Sequence, residues 1–177
     1  MTVEGMGYAA DILVALRGDA AAATAFKTLT GQDVWALGAT PTQAQVDSLF
    51  TLVYKADGSF QQNAANAATT VEGLKRAGAI ASEIWAKSAD ESFALITGVT
   101  YWAQGQVPTE EQVTALYTLV YKADGSFQPA SSDAAKTVEG MVYAADILVA
   151  LRADAAAAAA FKTLTGQDVW ALGATPT

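Results

Sequence analysis

The 177-residue chain contains no cysteine and no histidine. The lack of cysteine excludes disulfides, thiolate metal ligands and thiol nucleophiles in any compartment. The lack of histidine removes together the usual general base near neutral pH, the commonest metal ligand and the usual pH switch. Positive charge is scarce, with ten Lys and Arg against eighteen Asp and Glu and a net charge of −8. Phosphate backbones and anionic lipid surfaces are bound through clustered Lys and Arg, so the chain is not built for nucleic acid. No apolar run approaches the roughly 20 residues that span a bilayer. The opening MTVEGMGYAADILVALRGD has acidic residues and no cationic flank, unlike a secretory signal. A Ser-His-Asp set, a glycine-rich phosphate loop and zinc spacing are also missing, so the chain reads as a non-enzyme with no cofactor.

What is present is repetition. Residues 2–42 and 137–177 are nearly the same sequence, differing only at Gly7/Val142, Gly18/Ala153 and Thr24/Ala159. A divergent third copy lies between them: TVEG returns at Thr70 to Gly73, Phe26 returns as Phe93 and Phe161, and Trp35 as Trp102 and Trp170. The spacing is 67 or 68 residues. TLVYKADGSF occurs at Thr51 to Phe60 and again at Thr118 to Phe127, and Pro-Thr closes each cycle at 41–42, 108–109 and 176–177. With 52% apolar and 16% charged residues the chain can bury a sizeable core. The fold expected is all-α, a tandem helical repeat of about 2.6 copies of a three-helix unit with a short extra turn, sharing one continuous core. Residues 1–40 form a partial repeat holding the second and third helices, and 41–107 and 108–177 are full repeats.

Within a cycle, the first helix opens at a Thr-x-x-Gln capping box, Thr42/Gln45 or Thr109/Gln112. Its stop is read at Asp57-Gly58 and Asp124-Gly125, glycine supplying a left-handed helix cap. The second helix is expected to start near Ser131 or Ser132, and the third at Asp19, Asp90 or Asp154, ending at Gly31, Gly98 or Gly166. The segment that follows, DVWALGAT or GVTYWAQGQV, reads as a single helical turn carrying its tryptophan into the junction between units.

Three groups of residues bear on chemistry. The ADGS loops, with Asp57, Ser59, Asp124 and Ser126, supply too few alternating oxygens for a calcium loop, so helix termination is the better reading. The recurring acids Glu4, Glu72, Glu139, Asp11 and Asp146 suit a solvated helix face better than the fixed pair of a glycosidase. The aromatics Trp35, Trp102, Trp170 and Tyr101 are candidates either for packing at unit junctions or for stacking on sugar rings.

The run FKTLTG, at 161–166, its counterpart at Phe93 to Gly98, the Pro-Thr pairs and the following QVxxLYTLVY resemble the short helical repeats of secreted bacterial surface proteins, the DUF4214-like and S-layer-associated segments joined to RTX arrays. The glycine- and aspartate-rich nonapeptides of those arrays are absent here. The resemblance implies an extracellular or cell-surface setting and a role in matrix, S-layer or adhesion. The functional expectation is a non-catalytic module that associates head to tail with copies of itself, since a heterologous contact that does not close propagates as a filament. The alternative is a helical module that binds a surface glycan through its junction aromatics.

Overall fold

The computed structural model describes residues 2–170; Met1 and residues 171–177, the third Pro-Thr among them, lie outside the described residues. The described chain is all-helical. Its elements are α1 (Val3–Gly18), α2 (Ala20–Thr30), α3 (Gln43–Phe50), α4 (Ala67–Lys87), α5 (Asp90–Thr97), α6 (Glu110–Tyr117), α7 (Ala134–Ala153) and α8 (Ala155–Thr165). Outside them, two isolated antiparallel bridges join Tyr54 to Phe60 and Tyr121 to Phe127.

Local chemistry sets most helix starts. Thr42 accepts from the Gln45 amide at 3.2 Å while Gln45 Oε1 accepts from the Thr42 amide, and Thr109 and Gln112 repeat this. The same glutamines donate to the carbonyls of Asp33 and Thr100, which ties each of these helices to the loop before it. Asp19 and Asp154 each accept from two amides of the following first turn, where a carboxylate also suits the positive helix end. At the other end Gly31, Gly98 and Gly166 take positive φ of 71°, 77° and 73° and close α2, α5 and α8.

Four local expectations are corrected. Helices α3 and α6 end at Phe50 and Tyr117, not at Gly58 and Gly125. The two glycines do have positive φ, 82° and 78°, but they turn the short hairpins closed by the Tyr–Phe bridges. A left-handed glycine serves a hairpin turn as well as a helix end, and the downstream bridge decides which. Helix α7 is capped by Asp133, because the hydroxyl of Ser131 is occupied inside, donating to Gln128 O at 2.7 Å and accepting from Arg76. Helix α5 is capped by Ala89 without a side-chain bond, and Asp90 lies within its first turn. Residues 32–36 are not helical; a turn at 37–38 follows, with Gly38 at φ 82°.

The long helices lie side by side. α4 packs on both α1 and α2, and α7 packs on both α4 and α5. Buried residues from Ala9 to Met141 form one connected apolar cluster through these layers.

Candidate functional site

The aromatic candidates are consumed by packing to different degrees. Tyr101 and Trp102 are buried, with ring centroids 4.2 Å apart, and Tyr101 lies 4.9 Å from Phe93. The Tyr101 hydroxyl donates to Ala81 O at 2.9 Å, and burial raises its pKa well above the ordinary tyrosine value. Trp35 and Trp170 are half-buried. Each is held by an arginine of the preceding long helix: Arg17 Nε donates to Trp35 O at 2.8 Å, and Arg152 Nε to Trp170 O at 2.9 Å. In the middle copy Trp85 stands in the arginine's place and its indole N–H donates to Trp102 O at 2.9 Å. One tether is thus kept by two unlike side chains. Trp170 also reaches the preceding copy, donating to Leu95 O at 3.4 Å.

The carboxylates are engaged locally. Glu4 accepts from Tyr8 and Glu139 from Tyr143 one helical turn on. Glu72 pairs with Arg76 at 2.9 Å, and Asp19 with Lys75 at 2.9 Å, which holds the Asp19 carboxyl below its ordinary value. In the ADGS turns Asp57 and Asp124 accept from the amide and the hydroxyl of Ser59 and Ser126, and these bonds lower both carboxyl pKa values. Among the described residues no three His, Cys, Asp or Glu side chains are grouped to hold a metal ion.

A cleft of about 240 Å³ lies between the two hairpins, walled by Tyr117 and Tyr121 and by Gln61, Gln62, Asn63 and Thr114. Gln62 and Asn63 span it, donating to the carbonyls of Asp124 and Gly125. Sequence reasoning did not locate this cleft, because it forms only where two hairpins 67 residues apart meet.

The larger feature is the use of the long helices' faces. The sequences of α1 and α7 match over Val3–Gly18, apart from Gly7/Val142 and Gly18/Ala153, yet they bury different sides. α1 buries Gly5, Ala9, Ile12 and Leu16, and α7 buries Val138, Met141, Ala145 and Leu148. Accordingly Ile12 is 0% exposed and its counterpart Ile147 is 61% exposed, while Val138 is 1% exposed and its counterpart Val3 is 82% exposed. In the middle, α4 buries both faces at once: Gly73, Ala77, Ile80 and Ile84 on one side, and Val71, Leu74, Gly78 and Ala81 on the other. The short helices repeat the contrast. Leu29 of α2 is 4% exposed under α4, and its counterpart Leu164 of α8 is 85% exposed.

The glycine of TVEG has a related role. A Cβ on Gly5 or Gly73 would land on the hydroxyl of Tyr54 or Tyr121, the tyrosine of the hairpin seated there, whereas nothing lies within 4 Å of Gly140. Beside each filled seat the hairpin phenylalanine meets the next turn of the long helix, Phe60 against Tyr8 at 5.2 Å and Phe127 under Arg76 at 4.0 Å. A glycine recurring in step with a distant tyrosine was the available sequence signal.

No family model matches the chain, and neither a curated protein nor a solved structure matches it. Among the described residues no helix is long and apolar enough to cross a membrane.

Proposed function

We propose that this chain is a non-catalytic structural module, a tandem helical repeat of about 2.6 units divided at 1–40, 41–107 and 108–177, that stacks head to tail with copies of itself. One observation carries the reading: matching helices bury complementary faces, and the middle copy buries both. The face left open at α1 and the face left open at α7 and α8 are the two halves of a contact made twice inside the molecule. Each is apolar, and exposed apolar patches of this kind mark association sites. The two halves differ, so the contact is heterologous and adds molecules without closing. An extracellular surface, S-layer or matrix setting follows only from the likeness of FKTLTG, Pro-Thr and QVxxLYTLVY to repeats of such proteins.

The test is mass against concentration by sedimentation and light scattering. Open-ended growth is the expected outcome, and a strict monomer up to millimolar concentration ends the proposal. The glycan reading extends from the tryptophans, of which Trp102 is buried and Trp35 and Trp170 are half-buried, to the cleft of Tyr117 and Tyr121, whose aromatic faces suit a neutral sugar. Titration of neutral monosaccharides against tyrosine chemical shifts tests it; shifts confined to Tyr117 and Tyr121 support it, and none at any concentration ends it.

A further inference from the structure

We infer that the open face of α7 and α8 receives α1 of a second copy in the register that α4 takes on α1 and α2, with Ala10 of the incoming helix set against Ala160. The inference rests on the stacking reading above and adds the partner element and its register.

The register comes from the closest approach inside the molecule. A Cβ on Gly78 of α4 would stand 2.6 Å from Ala25 Cβ and 2.9 Å from Ala25 Cα of α2, so the two helices touch nearly backbone to backbone at this pair. The positions equivalent to Gly78 are Ala145 in α7 and Ala10 in α1, and those equivalent to Ala25 are Ser92 in α5 and Ala160 in α8. Every one is small. The crossing of α5 and α7 buries Ala145, so a methyl fits where α4 has glycine, and Ala10 on Ala160 asks for no more room than Ala145 and Ser92 already take. Around that point Val3 and Met6 fall where Val71 and Leu74 are buried, and Leu164 falls where Leu29 is covered. Continuity with two existing interfaces thus selects the occupant, a second copy.

One polar element is missing from this contact. Lys75 of α4 reaches across to Asp19, the N-cap of α2, at 2.9 Å. The counterpart of Asp19 is Asp154, but that of Lys75 in α1 is Gly7, which has nothing within 4 Å of a would-be Cβ. The junction therefore lacks an ion pair and leaves the Asp154 carboxylate uncompensated between copies that each carry a net charge of −8, so sodium chloride should strengthen its association by screening repulsion. Supplying the cation should strengthen it: Gly7→Lys places an ammonium opposite Asp154 and should tighten association roughly two- to fivefold, the range of an exposed pair, in a salt-sensitive way.

The test uses the cysteine-free chain. Ala10→Cys and Ala160→Cys proteins are made separately, mixed and oxidised; a disulfide forms only where two Cα atoms come within about 7 Å. The control mixture pairs Val14→Cys with Val149→Cys, exposed positions on the outer side of α1 and α7. Preferential Ala10→Cys to Ala160→Cys linkage, with Gly7→Lys tightening lost in the Asp154→Asn background, is the expected result. Self-association with linkage no better than the control, or with Ala10→Cys linking mainly to itself, overturns this register and leaves stacking intact. A monomer at every concentration overturns both.

Discussion

Replacing Gly73 and Gly140 by alanine, one at a time, should move stability in opposite directions, although both lie in a TVEG sequence on equivalent helices. At Gly140 nothing lies within 4 Å of the added Cβ, so the change carries only the helix-propensity gain of about 1 kcal/mol. At Gly73 the same Cβ lands on the Tyr121 hydroxyl and Cζ. That ring cannot simply swing aside, because it stacks on Phe127 at 5.1 Å and lies 5.7 Å from Tyr117. Overpacking of this kind costs about 1–3 kcal/mol, which leaves Gly73→Ala destabilising by up to ~2 kcal/mol after the propensity gain. In a chain of this size 1 kcal/mol corresponds to about 2–4 °C in Tm, so far-UV CD melts of dilute protein resolve the difference. Tyr121→Phe removes the oxygen that the Cβ meets and should lessen the penalty, giving a non-additive double-mutant cycle. If both alanines raise Tm alike, Tyr121 is not seated over Gly73 and the reasoning fails.

The same contrast applies to leucine: Leu29→Ala should cost about 2–5 kcal/mol in urea melts, and Leu164→Ala less than about 0.5 kcal/mol in dilute protein while weakening association. Equal losses from the two would show that the α8 face is already covered. Replacing Gly58 or Gly125 by Val should destabilise by roughly 1–2 kcal/mol, through the left-handed turn residue of each hairpin and not through a helix cap; neutrality at both sites would remove that turn assignment. Asp19, Asp57 and Asp124 have folded pKa values below the ordinary 3.8. A depressed carboxyl adds stability that is complete above the unfolded value and lost as pH falls through the folded one, so Tm should be flat from neutral pH to about 5 and fall below about 4. Asp57→Asn together with Asp124→Asn should flatten that acid limb, and an unchanged limb in the double variant would contradict it.

What was legible in the sequence is what a single turn of chain decides. Thr42 with Gln45, Asp19 with the amides of Ala21 and Ala22, and Gly31 after Thr30 are each fixed by atoms within four residues of one another. The errors begin where the deciding partner is distant. Gly58 reads equally well as a helix end until Tyr54 is seen bridging to Phe60 with Phe60 against Tyr8 of another helix. Ser131 looks like a cap until Arg76, 55 residues earlier, is found on its hydroxyl. The tryptophans were legible as candidates, but the substitution of Trp85 for the tethering arginine required the fold to bring position 85 beside Trp102. Face usage was illegible for a stronger reason. α1 and α7 have nearly the same residues, so no local pattern can assign them different buried sides; only their neighbours do.

That equality also limits what the open faces can be. A helix at the edge of a bundle needs one apolar stripe, and a helix between two layers needs two. α4 has two and uses both. α1 and α7 have two and each uses one, leaving Val3 and Met6 exposed on one and Ile147 on the other. Covering Val3, Met6, Ile147 and Leu164 together would return about 1.5–3 kcal/mol each, against some 4–15 kcal/mol for the lost freedom of two bodies joining. The two sums are of similar size. A junction made of these residues is therefore one that forms and dissolves with concentration, weaker than the internal contacts it copies, because those are joined by the chain itself and gain the hairpin seated at Gly5 or Gly73, which Gly140 lacks.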